Sequence, residues 1–148
     1  SQSSAASDVY KRQLHYAATR AAKTGGGVEV LAIITPQDQT HWLGVAEKMR
    51  EEARETIEES FQIYSNWMKD ELKLEAELVI REGEKATEVL NQISEDKEVG
   101  VLVLGANNSS EGPGPLISQL VSRDGGNLPI PVTIVPGSMT KERIEAVS

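Results

Sequence analysis

The stretch from Gly100 to Gly137 constrains the fold more than any other part of the chain. An apolar run from Val101 to Leu104 stops at a glycine, and a loop rich in Gly, Asn, Ser and Pro follows it. A helix is predicted from Pro115, and a second apolar run covers Val132 to Val135. A strand, a loop, a helix and a strand in this order are typical of a parallel α/β sheet. In such sheets, ligands and especially phosphates bind at the loop that follows the carboxyl end of a strand.

The rest of the chain continues the alternation of helices and strands. A stripe of small apolar residues at helical spacing predicts a first helix that stops at the glycines 25–27: Leu14, Ala17, Ala18, Ala21 and Ala22. The β-branched run Val28 to Ile34 predicts a buried strand. Further on, the pattern predicts a long amphipathic helix over 40–72, a strand over 74–80, a helix over 86–93 and a short helix after Thr140. Strands separated by helices of this length imply right-handed crossovers and a parallel sheet, so the predicted class is α/β.

The alternation begins with a helix, where a parallel α/β sheet would begin with a strand. A crossover helix needs a strand before it, but the opening SQSSAASDVYKRQ contains no apolar run. We therefore expect residues 1–13 to be a leader of non-native or disordered sequence, and residues 14–148 to form the domain. The alternative is a native tail before a fold that simply begins with a helix.

Length and composition exclude several classes of protein. A chain of 148 residues is one domain by length, and it can bury roughly two-thirds of its unfolded surface. The absence of cysteine excludes disulfides, thiolate metal sites and thiol nucleophiles, and two histidines leave little for a metal cluster. A net charge of -8 argues against nucleic acid as a partner. With neither a membrane-length apolar run nor a signal-peptide pattern, the expected location is the cytoplasm, with no membrane partner.

From Leu14 onward the chain resembles the universal stress protein domain family. The resemblance rests on HYAATRAAKTGGGVEVLAII, on VGVLVLGA, and on GPGPLISQL followed by PIPVTIVPG. It implies an adenine-nucleotide α-hydrolase-like fold, which is a three-layer α/β sandwich with an open parallel sheet in the strand order 3-2-1-4-5. The family's usual first strand, which is central in that order and ends near an Asp, is missing or replaced in this chain.

The loss of a central strand leaves unpaired backbone groups on both of its neighbours, which is costly when they are buried. Three outcomes are open. Strands 28–34 and 101–104 close directly on each other, residues 5–10 act as a poor substitute strand, or a gap remains. We expect residues 1–13 to pack poorly.

The resemblance also implies an adenine-nucleotide site, with ATP or AMP as the candidate ligand. Many members of the family bind ATP with a Gly-x2-Gly-x9-Gly-Ser/Thr loop that opens the last crossover helix. Small residues in such a loop let backbone N–H groups approach phosphate oxygens. The candidate nucleotide-binding residues are Ile34, Gly105, Asn107, Gly112, Gly114 and Ser118.

This chain departs from the family's loop in several ways. Asn108 occupies the place of the second glycine, and Pro115 replaces the hydroxyl residue. Pro113 and Pro115 lack N–H donors, and no Lys or Arg occurs between Ala106 and Ser122. These departures favour a rigid loop that sets the entry into the helix over a triphosphate site.

No other motif indicates catalysis. The glycines 25–27 precede a strand, so they indicate the end of a helix better than a nucleotide loop. His15 and His41 have no Ser or Asp partner at informative spacing, which favours surface or capping roles. The glutamate-rich face of the long helix lacks a Glu-x-x-His motif, and a solvated face explains it better than a metal site. We therefore expect no catalytic residue, no metal site and no enzyme activity.

The last strand is the candidate dimer edge. It contains Val132, Thr133, Ile134 and Val135, and prolines flank it on both sides. In the resembled family this edge pairs with its copy across a two-fold axis, and a short apolar edge suits such a closed contact. The alternative is an edge covered only by residues 140–147.

Two functional hypotheses follow from the sequence. The first is a homodimeric, cytoplasmic regulator of the stress response with a weakened adenine-nucleotide site. The second is a dimerisation or protein-interaction module without a small-molecule ligand. A third, a phosphotransferring or ATP-hydrolysing enzyme, lacks the P-loop lysine and an identifiable base.

Overall fold

Five helices and four strands alternate along the chain in the computed structural model, which describes residues 2–36, 43–106, 114–124 and 127–148. The elements are α1 (Gln2–Thr24), β1 (Val28–Ile34), α2 (Leu43–Leu72), β2 (Ala76–Glu82), α3 (Lys85–Glu95), β3 (Leu102–Ala106), α4 (Pro115–Asp124), β4 (Val132–Pro136) and α5 (Lys141–Val147). The order and type of these elements are those predicted from the sequence.

The four strands form two parallel pairs. β1 pairs with β2 in a register that joins Val28 to Ala76, and β3 pairs with β4 in a register that joins Leu102 to Val132. If β1 to β4 correspond to strands 2 to 5 of the family, these are the expected neighbours 2-3 and 4-5. The α/β class and the parallel strands are therefore confirmed.

The strand pairing also bears on the three arrangements that the sequence leaves open for strands 28–34 and 101–104. Residues 5–10 lie within α1, so they do not serve as a substitute strand. Each of the four strands pairs with one other strand in the described part of the chain, and no ladder joins residues 28–34 to residues 102–106. Direct closure of these two strands is therefore not found among the described residues.

The chain divides into two compact units. The first contains residues 1–26 and 93–148, and the second contains residues 27–92. In the first unit α1 packs on β3, β4 and α5. The side chains of its core come from each of these elements and from α4, and they include Ala18, Leu104, Leu120, Val135 and Ile144. In the second unit α2 packs on β1 and β2, with Met68, Ala86 and Val89 buried.

α1 is longer than the alanine stripe predicts. The stripe begins at Leu14, but the helix begins at Gln2, and residues 2–13 contain no proline or glycine that would stop it. Its C-terminal end is as predicted. Gly25 adopts a φ of 76°, and the N–H of Gly26 donates to the Ala21 carbonyl over 2.9 Å, which is the glycine-terminated end typical of α-helices. The non-native origin of residues 1–13 stays a prediction.

A side chain donates to one carbonyl on the edge of β3 that faces away from β4. The N–H of Leu102 donates to the Pro131 carbonyl over 3.0 Å, so the backbone groups of Leu102 face β4. Because these groups alternate between the two edges of a parallel strand, those of Val103 face the opposite edge. There, Nε2 of Gln13 donates to the Val103 carbonyl over 2.7 Å. α1 thus supplies one of the donors that a neighbouring strand would otherwise provide.

β2 begins two residues later than the sequence predicts, at Ala76 instead of Leu74. The end of α2 explains the difference. Lys73 adopts a φ of 57°, and the N–H of Leu74 donates to the Met68 carbonyl over 3.1 Å. Leu74 is therefore part of the helix ending, and its apolar side chain does not mark the start of the strand.

Candidate functional site

β3 and α4 lie on either side of the candidate loop, in the order that the sequence predicts. Gly105 lies within β3 and is paired with Val135, and the strand ends one residue later at Ala106. α4 begins at Pro115, where a missing N–H is harmless because the first amides of a helix have no partner within it. The segment that joins them therefore runs from the carboxyl end of a parallel strand to the N-terminus of a helix.

Gly114 and Ser118 form the first turn of α4. Gly114 has a φ of 111°, which a residue with a side chain rarely adopts. Its carbonyl oxygen accepts two hydrogen bonds from Ser118, from the backbone N–H over 3.2 Å and from the hydroxyl over 3.0 Å. The Ser118 hydroxyl thus uses its hydrogen inside the helix, and it would have to rotate to donate to a ligand.

α4 has no cationic side chain near its N-terminus to attract an anion. The basic residue of α4 is Arg123, which lies in its last turn, at the opposite end from Gly114. An anion at the start of α4 would therefore depend on backbone amides and the helix dipole. This is the charge distribution that the sequence predicts.

The remaining candidate nucleotide-binding residues lie in the second unit or outside the described residues. Ile34 is the last residue of β1 in the second unit, where its carbonyl accepts the N–H of Gly83 over 3.0 Å. Asn107 and Gly112 lie outside the described residues. Gly105, Gly114 and Ser118 are thus the candidates whose placement within one unit is established.

His15 lies beside a carboxylate of α5. Its Nε2 lies 3.4 Å from Oε1 of Glu145, and its side chain is 18% exposed. The second candidate, His41, lies outside the described residues.

The sequence does not predict the cavity that His15 helps to line. Its basic residues, at positions 11, 12 and 141, come from α1 and α5, which are far apart in the chain. The one available signal was the pair Lys11-Arg12 one helical turn before His15.

A polar network crosses the second unit. Nε of Arg81 lies 2.8 Å from Oε1 of Glu88, and Nη1 of Arg81 donates to Oε1 of Gln92 over 2.9 Å. Nε2 of Gln92 then donates to a carboxylate oxygen of Glu29 over 2.8 Å. These bonds connect β2, α3 and β1, so the network holds the crossover helix on its strands.

The described residues contain no group of three or more His, Asp or Glu side chains that could hold a metal ion. None of the described helices is long and apolar enough to cross a membrane.

Comparison with known proteins agrees with this architecture. Residues 5–136 match the sequence profile of the Universal stress protein family. The fold is similar to that of the universal stress protein UspA from Lactobacillus plantarum, with a TM-score of 0.70 and 14% sequence identity, over 88% of this chain and 89% of that one. Comparison with curated protein sequences finds no match. The strand pairs, the helix order and the profile match together show that this chain belongs to the universal stress protein family.

Proposed function

We propose that this universal stress protein domain is a homodimeric, cytoplasmic regulator that binds an adenine nucleotide, ATP or AMP, at the loop between β3 and α4. The observation that carries the nucleotide proposal is the ending of β3 at Ala106 followed by the start of α4 at Pro115, with Gly114 at a φ of 111°. Glycine at this position leaves space for a phosphate oxygen near the backbone.

The chemistry of such a site is binding without turnover. The first amides of α4 and the positive end of its dipole would hold phosphate oxygens, and no lysine or arginine lies between Ala106 and Ser122 to add affinity. Phosphoryl transfer would also need a P-loop lysine and a base, and the sequence has no identifiable candidate for either. We therefore expect a low affinity and a regulatory role in which occupancy is the signal.

Isothermal titration with ATP and with AMP tests this proposal. We expect saturable heat at high micromolar nucleotide for the unchanged chain. Alanine at position 114 would be strained at the positive φ that Gly114 adopts. We therefore expect Gly114→Ala to bind the nucleotide about ten-fold more weakly, equivalent to about 1.4 kcal/mol. Gly100→Ala is the matched control, because Gly100 has no atom within 4 Å of an added Cβ.

Absence of heat with both nucleotides would contradict the nucleotide proposal. It would favour the second candidate, a protein-interaction module without a small-molecule ligand. Two features support that candidate, namely the missing cation and the Ser118 hydroxyl that already donates to the Gly114 carbonyl.

The dimer proposal rests on the outer edge of β4. Since the Pro131 carbonyl accepts from Leu102, the backbone groups of Val132 and Ile134 face away from β3. β3 is the one strand that pairs with β4 in the described ranges, and the Ile134 side chain is 41% exposed. A second copy could pair with this edge across a two-fold axis and cover the isoleucine.

Light scattering at micromolar concentration tests the dimer. We expect a mass of two chains for the unchanged protein and of one chain for Ile134→Arg, because two arginines would meet across the two-fold axis. Ile63→Arg, at an isoleucine on α2 that is 69% exposed, is the control and should remain dimeric. A single-chain mass for the unchanged protein would count against the proposed interface, and so would a dimer that persists in Ile134→Arg.

A further inference from the structure

A cavity of about 230 Å³ lies between α1 and α5 in the first unit. α1 contributes Lys11, Arg12 and His15, whereas Thr140, Lys141 and Ile144 come from the start of α5 and the residue before it. Ile144 is 1% exposed and provides an apolar floor, and the other five side chains bear polar or charged groups. The cavity is remote in sequence from the loop that joins β3 to α4.

Three cationic side chains line this cavity. Among the side chains that the structure describes, which leave out those of residues 1–10, none forms an ion pair with Lys11, Arg12 or Lys141. The chain as a whole has a net charge of -8, so most of its surface has the opposite sign. Three cations around one cavity repel each other, and an anion placed among them would relieve that repulsion.

Neighbouring hydrogen bonds fix the walls of the cavity. Lys23 on α1 donates to the carbonyl oxygens of Glu145 and Ser148, both over 2.9 Å, and so joins α1 to the end of α5. Nε2 of His15 lies 3.4 Å from Oε1 of Glu145 and adds a second connection. The cations are thus attached to two helices that are joined by Lys23 and by His15, which itself lines the cavity.

Thr140 adds a neutral donor to the lining. Its Oγ1 accepts the backbone N–H of Arg143 over 3.2 Å, as the N-cap of α5. Since the oxygen is the acceptor in that bond, the hydroxyl hydrogen can donate to a ligand.

The charge of the cavity selects the class of ligand. The cavity has a volume of about 230 Å³ and is open to solvent, so its lining and not its size decides what it binds. A phosphate group carries about -1.5 to -2 charges at pH 7 and offers several acceptor oxygens. A single carboxylate carries less charge and has fewer oxygens to share among two ammonium groups, a guanidinium and a hydroxyl.

We propose that the cavity between α1 and α5 binds a phosphate group, either as inorganic phosphate or as a small phosphomonoester, through Lys11, Arg12, Thr140 and Lys141. The Arg12 guanidinium donates to two phosphate oxygens, and the two ammonium groups act as compact charges beside it. Ile144 contributes an apolar contact at the floor of the cavity.

Amide NMR of the full chain, titrated with inorganic phosphate and separately with glycerol phosphate, tests the proposal. Sodium chloride keeps the ionic strength constant, and sodium acetate serves as the monoanion control. We expect saturable shifts at His15, Thr140 and Lys141, with acetate much weaker than phosphate. Tighter binding of glycerol phosphate than of inorganic phosphate would identify the ester as the preferred form. Equal or weaker binding would identify free phosphate.

Two charge-removing variants and a matched control make the test specific. Lys11→Gln and Lys141→Gln should each raise the dissociation constant for phosphate about three- to ten-fold, because each removes one cation from the cavity. Lys97→Gln changes the net charge by the same amount at an exposed lysine outside the cavity and should leave the constant unchanged. Shifts that do not saturate, or that are equally affected by all three variants, would overturn the proposal.

Discussion

Truncation of Leu120 to alanine is expected to lower the free energy of unfolding by about 2–5 kcal/mol, the usual cost of deleting a buried leucine side chain. Leu120 lies on α4 and is 1% exposed. Its removal takes apolar surface out of the core of the first unit and leaves a cavity that the surrounding elements fill only in part.

Val121→Ala provides the control on the same helix. Val121 is 57% exposed, and alanine has the higher helix propensity, so we expect a change within about 0.5 kcal/mol. Urea unfolding of both variants, with the denaturant dependence compared as well as the midpoint, measures the difference. Equal midpoints for the two variants would contradict the assignment of Leu120 to the core.

Replacement of Gly83 by alanine is the second change with a large expected effect, a loss of about 2–4 kcal/mol from backbone strain and a disrupted ion pair. Gly83 follows β2 with a φ of 146°, and a Cβ at this position would lie 2.8 Å from Cγ and from Oε2 of Glu88. Glu88 would have to move, but its other carboxylate oxygen holds Nε of Arg81 at 2.8 Å. Both side chains of this pair are largely buried, at 20% and 17% exposed, so the solvent replaces the lost contact poorly.

A double-mutant cycle separates the two causes. In Glu88→Ala the ion pair is already lost, so Gly83→Ala in that background retains the backbone strain alone. We expect a smaller cost there than in the unchanged chain, measured by urea unfolding. Gly100→Ala, which meets no atom within 4 Å, is the control and should change stability by no more than about 0.5 kcal/mol. An identical cost of Gly83→Ala in both backgrounds would contradict the contact with Glu88.

Local pattern was sufficient to predict which segments form helices and strands. The run from Val28 to Ile34 is β-branched and lies between a glycine and a proline, and it is β1 from its first residue to its last. Thr140 was expected to precede a short helix, and it caps α5 through its side chain. These predictions succeed because side-chain periodicity and the stop signals of Gly and Pro act within a few residues.

The sequence predicts the ends of helices and strands less well where a residue other than glycine has a positive φ. The apolar side chain of Leu74 predicts a strand, yet Leu74 belongs to the helix ending that Lys73 forms at a φ of 57°. A positive φ at a lysine has no signal in the sequence, since glycine or asparagine is the usual residue there. α1 likewise continues back to Gln2 because residues without an apolar stripe still have adequate helix propensity.

The sequence by itself determined the α/β class, the order of the elements, the family resemblance and the glycine-rich loop before α4. Only the tertiary structure decided that Gln13 donates to the Val103 carbonyl of β3 and that the Glu88 side chain lies against Gly83. It also decided that Lys11 and Arg12 line the same cavity as Lys141. The physical reason is the distance along the chain over which each kind of interaction acts. Periodicity and turn chemistry act between neighbours in the chain, whereas hydrogen bonds, ion pairs and cavities join residues whose proximity depends on how the helices pack.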